Sequence, residues 1–205
     1  MHPIKGSVIA LYGINNLGKT TQRDLLLEKL GKKGMRAFGY KYARYDIEPS
    51  GSMLNAYLRE GNPLRLSARE FQTIQVINRM QVEPTLIAQK KAKGIVVVED
   101  YTGTGIAWGI GAGVEKAYLL KLNAHLLKED LAILLTGERF LSGVEKSHAH
   151  ESKDELTDKV RAIHLELAKE FGWHIVDANQ SKEDVHDDIW KIVEAYISNT
   201  SLWTS

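Results

Sequence analysis

The chain has 205 residues, with 27 lysines and arginines against 26 aspartates and glutamates, a formal net charge of +1. That balance excludes bulk attraction to nucleic acid or to an anionic membrane. The absence of cysteine excludes disulfides, thiolate metal sites and cysteine nucleophiles together. The length suits a single domain over residues 1–205, large enough for one sizeable core and a mobile insertion.

In chain order, Ser7 to Tyr12 is a short apolar run with the character of a buried strand, and Thr20 to Leu30 carries apolar residues at helical spacing. Residues 31–34, Gly-Lys-Lys-Gly, form a turn before a second strand over 35–40. The spacing predicts helices over 50–60 and 67–90, separated by Gly61, Asn62 and Pro63. Ile95 to Val98 is a continuous β-branched run, as a strand covered on both faces requires, and it ends at Glu99 and Asp100. A helix over 114–127, a strand over 131–135, a polar stretch from 136 to 152 and a long helix to about Phe171 follow. Residues 173–176 make the last strand and 182–197 a closing amphipathic helix. This alternation predicts an α/β fold, a parallel five-stranded sheet flanked by helices, with ligand at the carboxyl ends of the strands. No run approaches the length of a membrane span. The first apolar segment leads straight into a loop rather than forming a signal-peptide core, so a cytoplasmic location is expected.

Residues 13–21 read Gly-Ile-Asn-Asn-Leu-Gly-Lys-Thr-Thr, a complete G-x-x-x-x-G-K-[ST] phosphate-binding loop. Gly13 and Gly18 allow a tight turn in which successive N–H groups point at a phosphate. Lys19 is placed to reach the β/γ-phosphates and the Thr20 hydroxyl to ligate Mg²⁺. The loop therefore assigns Gly13, Asn15, Asn16, Gly18, Lys19, Thr20 and Thr21 to the cofactor, ATP with Mg²⁺. Strand before and helix after are the context the motif needs, and together they predict a P-loop NTPase fold.

Taken with the loop, several further segments make the chain resemble the thymidylate kinase family of P-loop nucleoside monophosphate kinases. These are Gly18 to Gln22, Asn78-Arg79 in the third helix, Glu99 to Trp108, the passage from Gly113 to Leu135, and Val176 to Ser181. The resemblance runs through nearly the whole chain. It implies a lid segment at about 137–152, an adenine-side loop containing Asn179 and Gln180, an acceptor site for a nucleoside monophosphate, and a homodimer. The chain also departs from the family pattern. Glu99-Asp100 stands where the family has Asp-Arg, Gln75 where it stacks a phenylalanine on thymine, and residues 143–150 contain no arginine. Glu48-Pro49 resembles the family's R-E-P segment without its arginine.

Glu99 and Asp100 end a buried strand at the ligand face. Each is a candidate to hold Mg²⁺ through water or to take a proton from the acceptor, and Glu99 is paired with Thr20 as the metal site. In this reading the catalytic set is Lys19, Glu99, Asp100 and Arg79. Arg79 and Arg44 are expected to grip the acceptor's phosphate, because a guanidinium fork matches phosphate bidentately. Asp46 is a candidate acceptor for a sugar hydroxyl, and the resemblance places Gln75, Tyr101 and Trp108 around the acceptor base. Arg139 and Lys146 are the candidate lid cations, and His148 and His150, with no third ligand, read as lid surface rather than a metal site. Trp173 and Trp190 read as core.

The resulting expectation is an enzyme that uses ATP and Mg²⁺ to phosphorylate a nucleoside monophosphate, dTMP in the first instance. Its partners are small-molecule nucleotides, not nucleic acid or membrane. Two alternatives stay open: a deoxynucleoside kinase with Glu99 as base, and a nucleotide-binding protein with little turnover.

Overall fold

The structure is a computed structural model and describes residues 5–138 and 154–201. Its five strands are β1 (Ser7–Tyr12), β2 (Ala37–Lys41), β3 (Ile95–Glu99), β4 (Leu131–Thr136) and β5 (His174–Asp177). They form one parallel sheet in the order β2-β3-β1-β4-β5. The helices are α1 (Lys19–Lys32), α2 (Ser50–Arg59), α3 (Ala68–Lys91), α4 (Thr102–Gly111), α5 (Lys116–Asn123), α6 (Asp154–Phe171) and α7 (Lys182–Ser201). Every residue of β1 and β3 is buried, which explains their unbroken apolar runs. One pleat face carries Ile9, Leu11, Val97 and Ile133 onto Leu26 and Leu30 of α1 and Ile189 and Val193 of α7. The opposite face carries Val8, Ala10, Val96 and Val98 onto Val82 and Leu86 of α3.

The chain leaves β1 toward β2 on one side and later leaves β3 toward β4 on the other, so the winding reverses between β1 and β3. In such a sheet the crevice at the carboxyl ends of those two strands is where a ligand fits. The phosphate loop follows β1 there, and Glu99 closes β3.

Sequence periodicity missed α4. Its sequence, Thr-Gly-Thr-Gly-Ile-Ala-Trp-Gly-Ile-Gly, holds four glycines, each costing roughly 1 kcal/mol of helix propensity. Packing explains them. A Cβ on Gly105 would lie 2.6 Å from Arg79 Nη2, and one on Gly109 would lie 2.8 Å from Leu119 Cδ1. The glycines let the helix pack close against these side chains, which a larger residue at 105 or 109 would push aside. The helix expected over 114–127 is correspondingly shorter, and β2 begins at Ala37 rather than at 35.

On α6, His164 is 1 % exposed. Its Nδ1 lies 2.9 Å from the Val160 carbonyl, which can only accept, so that nitrogen carries the proton and Nε2 is left without a partner. Burial pushes its pKa from 6.5 down to about 4. A depressed histidine contributes stability above its unfolded value that is lost as pH falls toward the folded one. The protein is therefore expected to lose stability between pH 6.5 and about 4, with His164→Met flattening that dependence. Denaturant titrations across this range check it; parallel curves for parent and variant would remove His164 as the cause.

Candidate functional site

The crevice is built from the loop between β1 and α1. Gly13 has φ +137°, and a Cβ there would meet the Leu135 carbonyl at 2.5 Å, so both conformation and space require glycine. Gly18, with φ +78°, is the N-cap of α1, and the helix's first turn carries no acidic residue. Its N–H groups and dipole thus face the loop's interior with no competing carboxylate in that turn. Lys19 is buried. Its Nζ donates to the carbonyls of Gly13 at 3.1 Å and Ile14 at 2.6 Å, and lies 3.4 Å from Asp100 Oδ1.

Glu99 is fully buried at the end of β3. Thr20 Oγ1 lies 3.0 Å from both of its carboxylate oxygens, and Arg23 Nη1 donates to Oε1 at 2.9 Å. Lys41 Nζ stands 3.7 Å from the same oxygen and 3.1 Å from Thr20 Oγ1. Burial and then the neighbouring Asp100 push the Glu99 pKa up, while Lys41, Lys19 and Arg23 pull it back. Asp100 has φ +57°, and its buried Oδ1 makes no hydrogen bond. A hydroxyl, a carboxylate and a second carboxylate, whose Oδ1 is met by the Lys19 ammonium alone, form the hard-oxygen donor set that suits Mg²⁺. Among the described residues there is no cluster of three or more His, Cys, Asp or Glu side chains. A magnesium ion completing its shell with phosphate and water does not need one.

A cavity of about 340 Å³ adjoins these groups. Asn15, Asn16, Gly18, Lys19, Thr20 and Thr21 line it with Glu99 and Asp100, and its far wall holds Tyr42, Gln75, Thr104, Gly105 and Trp108. The expected residues Gln75 and Trp108 are thus brought to the same space as the phosphate loop. Several others are not. Arg44 makes a two-point ion pair with Asp46, at 2.8 and 2.6 Å, outside the lining. That contact holds the Asp46 carboxyl down at about 2. Tyr101 is fully buried, its ring tilted against Tyr42 and its hydroxyl bonded to the Leu127 carbonyl at 2.9 Å. It therefore supports the wall from behind instead of offering a face to a base. Arg79 is 2 % exposed and also lies behind the wall; its Nη2 donates to Gln75 Oε1 at 2.9 Å and to the Tyr101 carbonyl at 3.0 Å.

Asn78 has a structural task. Its amide accepts from the Arg44 N–H at 2.9 Å and donates to the Arg44 carbonyl and Ser50 Oγ, each at 2.8 Å, fixing the loop between β2 and α2. Asn179 makes the same paired contact with the backbone of Glu138, at 2.9 and 3.1 Å, and Gln180 donates to the Asp177 carbonyl at 3.1 Å. Both stand outside the cavity lining. Most of the expected lid, with Arg139, Lys146, His148 and His150, lies outside the described residues.

Sequence reasoning missed Arg23, Lys41 and Arg59. Arg23 stands three residues after Thr20 on α1, so helical spacing alone puts it on the Thr20 face. Lys41 sits opposite Glu99 in the β2–β3 register, which no local pattern reveals. Arg59 lies on the cavity wall with its guanidinium 4.3 Å from the centre of the Tyr45 ring.

The thymidylate kinase family model matches residues 11–189. A probable thymidylate kinase of Methanocaldococcus jannaschii is 31 % identical, over 88 % of this chain and 92 % of its own. The human thymidylate kinase is 28 % identical, over 90 % of this chain and 88 % of its own. The structure of the Candida albicans thymidylate kinase superposes with a TM-score of 0.76 at 21 % identity, covering 96 % of this chain and 94 % of that one. With its phosphate loop, parallel sheet and adjoining cavity, the chain belongs to the thymidylate kinase family and is a nucleoside monophosphate kinase.

Proposed function

We propose that the protein transfers the terminal phosphoryl group of ATP to dTMP, with Mg²⁺, yielding ADP and dTDP. The observation that carries this reading is the single cavity shared by the phosphate loop and the wall of Gln75, Thr104 and Trp108. An oxygen of the acceptor phosphate attacks the γ-phosphorus of ATP as the bond from that phosphorus to the β-bridging oxygen breaks. The protein contributes positioning and charge compensation more than covalent chemistry. The α1 N-terminus and Lys19 bind the donor's phosphates. Thr20 and Glu99, with Asp100 beside them, would hold Mg²⁺, whose role is to neutralise charge on the transferring group.

A nucleoside 5′-hydroxyl is the acceptor against which the monophosphate assignment is tested, because of one observation. Neither Arg44 nor Arg79 lines the cavity, whose cations are Lys19, Lys41 and Arg59. ADP release measured with ATP and Mg²⁺ against a panel of nucleosides and monophosphates separates the two. Turnover is expected with dTMP and not thymidine, and Lys19→Ala is expected to abolish it. Turnover with nucleosides alone overturns the first reading.

The Glu99 balance makes its own forecast. Because its pKa is raised, the ionised carboxylate burdens the folded state; that burden is absent below about 4.5 and appears as pH rises through the folded value. Glu99→Gln keeps an oxygen for Thr20 and Arg23. It is expected to lose about 100-fold or more in kcat, yet to melt higher than the parent at neutral pH and level with it in acid. A variant melting lower at neutral pH would show that the surrounding cations outweigh burial.

We also infer a homodimer in the cytoplasm. No helix of the described residues is long and apolar enough to cross a membrane. On α3, Ile77 and Met80 stand three residues apart and are 38 % and 46 % exposed, an apolar strip suited to a second copy. Sedimentation equilibrium is expected to give twice the 23.0 kDa chain mass. A mass of one chain at micromolar concentration rejects the dimer.

A further inference from the structure

We propose that Gln75, held in one orientation by the buried Arg79, selects the acceptor base by donating its side-chain N–H₂ to a carbonyl on the base edge. The inference rests on reading the cavity as the acceptor site. An arginine guanidinium donates only, so the amide it contacts must turn its oxygen toward it. Arg79 Nη2 meets Gln75 Oε1 at 2.9 Å. The Gln75 nitrogen must then point elsewhere, and among the described residues it makes no hydrogen bond of its own. Gln75 lines the cavity and Arg79 does not. The wall therefore presents a donor that cannot flip into an acceptor.

Arg79 is held through Nη2, while its buried Nε and Nη1 make no hydrogen bond. Gln75 lies four residues earlier on the same helix, the Tyr101 carbonyl takes a second bond at 3.0 Å, and the Tyr42 ring centre is 5.9 Å away. Gly105 of α4 covers it, with no room for a Cβ against Nη2. Arg79 thus acts through Gln75 and is a positioning residue. Thr104, 6 % exposed, adds an unpartnered hydroxyl to the same wall. A hydroxyl donates or accepts as required, so it tolerates either kind of base edge. Gln75 does not. Thymine, uracil and guanine present an oxo group where cytosine and adenine present an amino group. The predicted substrates are oxo-base monophosphates, with amino-base monophosphates refused because two donors would face each other.

Gln75→Glu provides the test, since a carboxylate keeps the bond to Arg79 and replaces the outward donor with an acceptor. Measured as kcat/KM, the parent is expected to prefer dTMP over dCMP, and the variant to shift that ratio toward dCMP by at least about tenfold. Gln75→Met, similar in length and without the amide, is expected to weaken the preference without reversing it. Arg79→Lys, which keeps the charge but not the fork, is expected to blur the preference while leaving the KM for ATP within about twofold. An unchanged dTMP-to-dCMP ratio in Gln75→Glu overturns this inference alone. Failure of the parent to phosphorylate any monophosphate overturns the acceptor assignment on which it rests.

Discussion

The contact between Thr20 and Glu99 ties the site together. It joins the first turn of α1 to the carboxyl end of β3, the two places where the reversal of winding opens the sheet. Because Glu99 is buried, its charge must be answered locally, and Arg23, Lys41 and Lys19 are drawn in around it. Lys19 in turn is bracketed by its own loop carbonyls and Asp100. Cations suited to phosphate are thus assembled in advance, each already paired with oxygen. A triphosphate bound as proposed would exchange partners with groups already in place, with little reorganisation.

Around that centre, side-chain amides fix loops in place. Asn78 treats the backbone of Arg44 as a neighbouring strand would, bonding both its N–H and its carbonyl. Asn179 does the same to Glu138 on the other side of the sheet. Two stretches that local sequence describes only as turns are in this way given the definition of regular structure.

What was legible in the sequence depended on how local the physics was. The phosphate loop, β1, β3 and β4 were readable because motif spacing and unbroken apolar runs are their own signature. The neighbourhood of Gln75 and Trp108 was readable through family resemblance. Helix α4 was not, because its glycines argue against a helix until Arg79 and Leu119 are seen against them. Nor was the fate of the arginines. Arg44 and Arg79 have the right chemistry for phosphate, yet one is spent on Asp46 and the other is retracted behind Gln75. Charge type is written in the sequence; what a long side chain reaches is set by packing. Lys41 shows the reverse case, an ordinary residue made part of the site by a strand register.

The glycine face of α4 bears on how such a site can change over time. A helix seated by the absence of side chains has nothing to trim, and an enlarged residue on that face pushes a packed neighbour aside. Any larger residue at 105 displaces a buried guanidinium. Gln75, Thr104 and Trp108 face the open space instead, where a side chain can change without that displacement. New preferences for a base can arise there one side chain at a time, without the sheet or the phosphate loop having to adjust.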